Sequence, residues 1–178
     1  MQMSYEMDRV SIRMVKEPPL LSERPIKNPQ DAVEIMHEFL QDLDREVVAI
    51  VNLHSDGKPI NMNVMSIGTI NASMACPREA LKTSILSNAS AVMLFHNHPS
   101  GNLNPSREDI AMTGKMIKAY GLMDINVLDH IILGPGDWFY SMREHDQFDV
   151  FSQEYSLTLE DLEYRSARPK ERSHDDAR

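Results

Sequence analysis

The chain has 178 residues, which fits one domain with short tails and is too short for a (β/α)8 barrel of about 200 residues or more. Its composition, 42% hydrophobic and 25% charged, is usual for a globular protein, and a single cysteine excludes both an internal disulfide and a site built from several thiolates. The net charge of −9 disfavours direct nucleic-acid binding, because such binding depends on Lys and Arg neutralising phosphates.

No segment of the sequence predicts export or membrane insertion. The N-terminal fifteen residues contain acidic and basic side chains and lack the apolar centre of a signal peptide. No stretch approaches the roughly 20 apolar residues of a membrane helix. We therefore expect a soluble cytoplasmic protein with no membrane partner. No pattern in the sequence specifies an oligomeric state.

Composition divides the chain into three parts. Residues 1–28 are mixed and polar and predict an N-terminal arm. Residues 29–150 contain almost all of the periodic apolar pattern and predict one domain. Residues 151–178 are rich in mixed charge and predict a flexible C-terminal tail.

The first half of the domain predicts a helix followed by two strands. Asn28 and Pro29 have the residue types of a helix N-cap and a first helical position. Residues 47–51 form a β-branched run that is typical of a buried strand. A hairpin turn at residues 56–57 then leads into the apolar segment 60–70.

The second half alternates helices with strands. A helix is predicted from Pro77, with Ala80, Leu81, Ile85 and Leu86 on its apolar face. Strands follow at 91–95, 125–133 and 138–142, and a long helix is predicted from Pro105. The fold class is therefore α/β (α+β), with a mixed central β-sheet flanked by helices.

One group of residues predicts a metal site. His96 and His98 are two positions apart at the end of a strand, so both imidazoles lie on one face if the strand continues. Ser106 and Asp109 share a face in the first turn of the next helix. Two imidazoles and one carboxylate suit Zn²⁺ and leave a fourth position for water. The alternative is that Ser106 and Asp109 form only a capping box.

The same stretch resembles a known family. Residues 96–101 and 105–109 are similar to the H-x-H-x7-S-x2-D core of the JAMM (JAB/MPN) metalloprotease superfamily, and most similar to its RadC-like branch. Residues 66–69 and 129–134 support the resemblance, which extends over about 30–145. It implies a cytidine-deaminase-like, JAMM-type architecture.

The resemblance also implies roles for individual residues. The zinc ligands of the superfamily correspond to His96, His98 and Asp109 in this sequence. Ser106 corresponds to the serine that stabilises the oxyanion, and Glu46, at the start of an early strand, to the catalytic glutamate. Asp44 is the alternative to Glu46.

Two functions are consistent with these residues. The first is a zinc-dependent metallopeptidase or isopeptidase that uses metal-activated water on a peptide or protein substrate, such as an extended C-terminal tail. The alternative is a non-catalytic or DNA-repair-associated RadC-like interaction module. Asp129 and His130, which lie inside an apolar strand, are predicted to make structural hydrogen bonds rather than to act in catalysis.

Overall fold

The computed structural model describes residues 14–15, 25–40, 43–68, 75–136 and 138–148. Its elements in chain order are α1 Pro29–Leu40, β1 Val47–Leu53, β2 Pro59–Ile67, α2 Pro77–Leu86, β3 Ala91–Asn97, α3 Arg107–Gly121, β4 Asn126–Leu133 and β5 Phe139–Ser141. None of these helices is long and apolar enough to cross a bilayer. The predicted C-terminal tail and most of the predicted arm lie outside the described residues, so the domain boundaries stay predictions.

The five strands form one mixed sheet in the order β2-β1-β3-β4-β5. β1 is antiparallel to both β2 and β3, and β5 is antiparallel to β4. β3 and β4 are parallel, and α3 provides the crossover between them. The α/β class with a mixed sheet and flanking helices is therefore confirmed.

Both faces of the sheet are covered. α2 and α3 pack on one face, around Leu94, Met116 and Tyr120, and α1 packs on the other, around Met36 and Phe95. Every residue of β1 and of β3 is buried as a result. This explains why these strands are continuous apolar runs rather than alternating ones.

Two predicted signals at element ends are confirmed. The Asp31 backbone N–H donates to Asn28 Oδ1 at 2.9 Å, so Asn28 caps α1. The turn between β1 and β2 contains Gly57 at φ +81°, and a Cβ there would lie 2.7 Å from the Ile26 carbonyl oxygen. Only glycine fits this turn without strain.

Three details differ from the prediction. In α2 Ala80 is buried and Leu81 packs on the core as predicted, but Ile85 and Leu86 are 50% and 40% exposed, and the polar Ser84 is buried instead. The long helix begins two residues later than predicted, because Ser106 is its N-cap. β3 continues to Asn97, beyond the apolar run that predicted it.

Candidate metal centre

The C-terminal end of β3 places two imidazoles side by side. His96 belongs to β3, and the His98 backbone N–H donates to the Leu133 carbonyl at 2.9 Å, which extends the parallel pairing with β4 one step further. The two rings are perpendicular, with centroids 4.4 Å apart. The strand therefore continues far enough to put both rings on the same face.

Asp109, in the first turn of α3, faces both rings. Its Oδ1 lies 3.4 Å from His96 Nδ1, and its Oδ2 lies 3.6 Å from His98 Nε2. All three residues are buried, with exposed fractions of 9% or less. The structure thus brings together the three residues that the sequence analysis selected as ligands.

The capping box and the convergence on the histidines coexist. The Asp109 Oδ2 atom accepts from the Ser106 backbone N–H at 2.7 Å and from its hydroxyl at 2.6 Å, while Ser106 Oγ accepts from the Asp109 N–H at 3.1 Å. The cap fixes the carboxylate so that Oδ1 is directed at His96. The hydroxyl hydrogen of Ser106 is engaged with Asp109 in this arrangement, and its role toward an oxyanion stays a prediction.

The hydrogen-bond pattern around the site fits a bound cation. His98 Nδ1 lies within hydrogen-bond distance of the Asn102 carbonyl oxygen, and a carbonyl can only accept, so Nδ1 carries a hydrogen and, when the ring is neutral, Nε2 carries the lone pair. His96 Nδ1 is buried with no hydrogen-bond partner among the described residues. Two ring nitrogens therefore face the oxygens of one carboxylate, an arrangement that a metal ion would satisfy.

The charges of His96 and Asp109 match those of metal ligands, whereas His98 holds a proton more readily than an ordinary histidine does. Burial lowers the pKa of His96 to about 4, so this imidazole is neutral near pH 7. Burial alone would raise the pKa of Asp109. Hydrogen bonds from His98 and Ser106 and the charge of His96 outweigh burial and keep this pKa well below its usual value. For His98, burial is outweighed by the neighbouring Asp109, and its pKa is raised. Metals bind the neutral imidazole and the ionised carboxylate.

Glu46, the residue predicted to act in catalysis, also lies close to the two imidazoles. One ligand atom from each of Glu46, His96 and His98 lies within 4.8 Å of the others, a spacing that could hold a metal ion. Glu46 is partly buried immediately before β1. Its alternative, Asp44, is exposed, bonds to Arg45 at 2.8 Å and does not belong to this group. The geometry therefore favours Glu46 over Asp44.

Asn97, between the two histidines, is a residue that the sequence analysis missed. Its side chain points to the opposite face of β3, where Oδ1 accepts from the Val47 N–H at 2.7 Å and Nδ2 donates to the Arg45 carbonyl at 3.0 Å. These two bonds flank Glu46 on both sides in the chain, and the Glu46 carbonyl accepts from the Gly68 N–H at 2.7 Å. Asn97 is 4% exposed and fixes the backbone that carries the glutamate.

The predicted structural role of Asp129 and His130 is supported by their bonds. Asp129 Oδ1 accepts from the backbone N–H groups of His130 and Arg143, and Oδ2 accepts from the Ser141 hydroxyl at 2.5 Å. Asp129 thereby ties β4 to β5 and to the turn that follows it. Burial raises the pKa of this carboxyl group, against the effect of these hydrogen bonds.

Comparison with known proteins finds a matching family and several similar chains. The RadC-like JAB domain family matches residues 26–147. The chain is 41% identical over 120 residues to the UPF0758 protein of Rubrobacter xylanophilus, covering 67% of this chain and 52% of that protein. It is 42% identical over 120 residues to the UPF0758 protein of Alkaliphilus oremlandii, covering 67% of this chain and 51% of that protein. For the UPF0758 protein of Methanosarcina mazei the identity is 36% over 132 residues, covering 74% and 56%.

The matched region contains every residue of the candidate centre, from Glu46 to Asp109. The chain spans about half the length of the curated relatives that it matches. The family match extends over more than half of the chain. The chain belongs to the RadC-like JAB domain family.

Proposed function

We propose that the chain is a zinc-dependent amide hydrolase of the JAMM type, acting as a peptidase or isopeptidase. The observation that supports this most strongly is the convergence of two ring nitrogens on one carboxylate. Asp109 lies 3.4 Å from His96 Nδ1 and 3.6 Å from His98 Nε2, and His96 Nδ1 is buried with no hydrogen-bond partner among the described residues. One carboxylate and two neutral imidazoles leave a divalent metal with a net positive charge, as a Lewis acid needs. Zinc at these residues would supply an activated water molecule and polarise the scissile carbonyl.

In this proposal Glu46 is the general base. One of its carboxylate oxygens lies within 4.8 Å of a ring nitrogen of each imidazole, and a general base has to be within reach of the proton that it takes. It takes the proton from that water and transfers it to the departing amine. The bonds from Asn97 and Gly68 to the surrounding backbone limit how far the glutamate can move from this position.

Ser106 is proposed to donate to the oxyanion that develops on the substrate carbonyl. Its hydroxyl is held 2.6 Å from Asp109 Oδ2, in the first turn of α3 and adjacent to the ligands. To donate to a substrate oxygen it has to rotate away from this carboxylate. Such a donor contributes most where water is excluded, and the ligands beside it are buried.

The edge of the sheet suggests how an extended peptide binds. β2 lies at one edge of the sheet, and among the described strands only β1 pairs with it. Its C-terminal end is next to Glu46, because Ile67 pairs with Val47 and the Gly68 N–H bonds to the Glu46 carbonyl. A peptide that adds a strand along the outer edge of β2 would therefore run toward the general base. We propose an extended peptide, such as a C-terminal tail, as the substrate class.

The alternative function, a metal-free interaction module, leaves the buried His96 Nδ1 without a hydrogen-bond partner among the described residues, although it lies 3.4 Å from Asp109 Oδ1. Burying these two atoms together is unfavourable unless a cation or a proton lies between them. The DNA-repair association is likewise not favoured by any described contact, and the net charge of −9 opposes phosphate binding.

The test compares the wild-type chain with Glu46→Gln and His96→Ala after loading with Zn²⁺. The metal content is measured by elemental analysis, and hydrolysis is measured on a pool of quenched-fluorescent peptides together with isopeptide-linked conjugates. We expect Glu46→Gln to keep its zinc and to lose hydrolysis at least about 100-fold, the scale of general-base catalysis. His96→Ala should lose both zinc and hydrolysis. Unchanged hydrolysis in Glu46→Gln, or a wild-type chain that binds no zinc, contradicts the proposal.

A further inference from the structure

A buried imidazole lies directly behind the candidate centre. His130, in β4, has no exposed surface, and its ring stacks on that of His96 with centroids 5.7 Å apart and planes 26° apart. Because His130 is aligned with Leu94 in the pairing of β3 and β4, its side chain lies on the same face as His96, the face that α3 covers. The proposed hydrolysis assigns no task to this ring.

The hydrogen bonds of His130 connect it to the helix that carries Asp109. Thr113 Oγ1 lies 2.6 Å from His130 Nδ1 and 2.7 Å from the Asp109 carbonyl oxygen. The carbonyl can only accept, so the single hydroxyl hydrogen of Thr113 is donated to Asp109. The bond to the ring must then be donated by His130 Nδ1–H. A continuous chain of bonds thus runs from β4 through Thr113 to the backbone of Asp109.

This chain fixes two of the proposed ligands relative to each other. At one end, the His130 ring restricts the orientation of His96 by stacking. At the other end, the bonded carbonyl belongs to Asp109, whose Oδ1 lies 3.4 Å from His96 Nδ1. The ligand from β3 and the ligand from α3 are therefore both supported by one residue of β4, in the way that outer groups orient the ligands of metal sites.

We infer that His130 and Thr113 are positioning residues for the metal centre, holding Asp109 at the distance from His96 at which both atoms can bind one divalent cation. The inference rests on the proposed metal binding. It extends the site to a third strand, and it gives a function to the histidine that follows Asp129.

The experiment measures Zn²⁺ affinity of the whole chain by competition with a chromophoric chelator, for the wild type, Thr113→Val, Thr113→Ser and His130→Phe. Thr113→Val keeps the branched shape and removes the hydroxyl, whereas Thr113→Ser keeps the hydroxyl. His130→Phe keeps a ring against His96 and removes the Nδ1–H donor. We expect Thr113→Val and His130→Phe to weaken Zn²⁺ binding about 10- to 100-fold, as loss of outer groups does in other metal sites, and Thr113→Ser to bind as the wild type does.

Ser84→Ala is the matched control. Ser84 is also a fully buried helical hydroxyl that donates to the carbonyl four residues earlier, Ala80, at 3.2 Å, and bonds to a ring group, the Tyr120 hydroxyl, at 2.8 Å. Tyr120 lies at the other end of α3, about 16 Å from Asp109 at 1.5 Å per residue. Ser84→Ala should lower the stability of the chain in EDTA and leave its Zn²⁺ affinity unchanged.

The outcomes separate the positioning role from a merely structural one. A structural role would lower the unfolding temperature equally with and without Zn²⁺, whereas positioning reduces the stabilisation that Zn²⁺ adds. Wild-type affinity in both Thr113→Val and His130→Phe overturns the inference, and if one of them does not fold, the other decides. The absorption spectrum of bound Co²⁺ gives a second readout, which should change in the same two variants. If the wild type itself binds no Zn²⁺, the proposed function fails together with this inference.

Discussion

At the scale of single residues, the amide of Asn97 connects the metal-ligand strand with the proposed base. The side chain is directed away from the two imidazoles beside it, and its bonds to Val47 and Arg45 span fifty residues of sequence. Buried backbone groups need such partners, and here one amide satisfies a donor and an acceptor on the two sides of Glu46. The strand that carries the two proposed histidine ligands therefore also sets the position of the glutamate.

Replacement of Asn97 by alanine should affect both stability and hydrolysis while leaving the ligands in place. The Val47 N–H and the Arg45 carbonyl lose their partner, which should lower the free energy of unfolding by about 1–3 kcal/mol. Displacement of Glu46 should slow hydrolysis about 100-fold, with the zinc content unchanged. Urea unfolding and elemental analysis measure these quantities. Asn52→Ala is the control, because Asn52 is a buried amide in β1 that bonds to Asn61 at 2.7 Å, away from Glu46. Equal loss of hydrolysis in the two variants would contradict the positioning of Glu46 by Asn97.

The sequence predicts the residues of the candidate centre better than it predicts their supports. His96, His98 and Asp109 follow from strand and helix periodicity, because each period fixes which side chains share a face. The roles of Asn97 and Thr113 depend on which backbone groups meet after folding, and no local period encodes a bond between positions 97 and 47. Glu46 is an intermediate case: its place at a strand start is visible in the sequence, but its approach to the imidazoles depends on β1 pairing with β3.

At the scale of elements, the N-terminus of α3 combines two tasks in one carboxylate. Asp109 closes the capping box with Ser106 through Oδ2 and directs Oδ1 at His96. A carboxylate in the first helical turn is also favoured by the helix dipole. Folding of the helix start and formation of the ligand set therefore use the same bonds.

The variants Asp109→Asn and Ser106→Ala should separate these tasks. The amide oxygen of asparagine can still accept the Ser106 N–H, so Asp109→Asn should lower the free energy of unfolding in EDTA by about 1 kcal/mol or less. The loss of an anionic ligand should weaken Zn²⁺ binding more than about 100-fold. Ser106→Ala removes the cap and should lower the free energy of unfolding by about 0.5–2 kcal/mol, and its Zn²⁺ affinity should fall less than that of Asp109→Asn. Urea unfolding in EDTA and chelator competition measure the two effects. If both variants lose stability and affinity in the same proportion, the tasks are not separable.

The elements themselves are well predicted, and the errors have local causes. Buried strands are continuous apolar runs and helix starts have capping residues, so both are visible in the sequence. The predicted apolar face of α2 is right at Ala80 and Leu81 but wrong at Ile85 and Leu86, which follow helical spacing and remain exposed. The polar Ser84 is buried through its bonds to Ala80 and Tyr120. Apolar spacing cannot distinguish a residue that packs from one that remains at the surface.

At the scale of the whole molecule, two neutral imidazoles are enclosed between the sheet and α3. His96 is 2% exposed and His130 is fully buried. Burial lowers the pKa of His96 to about 4 and that of His130 to about 3. The folded chain therefore stays unprotonated at these rings in a pH range in which an unfolded chain, with ordinary histidines, binds protons.

The metal-free chain should consequently become less stable as the pH falls from 7 to 5. Well above pH 6.5 these rings are neutral in both the folded and the unfolded chain, so protonation does not reduce the free energy of unfolding there. Below pH 6.5 only the unfolded state gains the protons, and each ring removes up to about 1.4 kcal/mol of unfolding free energy per pH unit until the folded pKa is reached. His98, whose pKa is raised, adds no such slope below pH 6.5, because it is then protonated in both states.

Urea unfolding in EDTA at pH 7, 6 and 5 measures this slope, and His130→Phe provides the control, because it removes one of the two titrating rings. The variant should retain about half of the pH dependence of the wild type over the same range. A wild-type stability that is constant from pH 7 to 5 would mean that the rings are protonated in the folded state as readily as in the unfolded one. Added Zn²⁺ should steepen the dependence, because metal binding to the folded chain requires the same imidazoles without their protons.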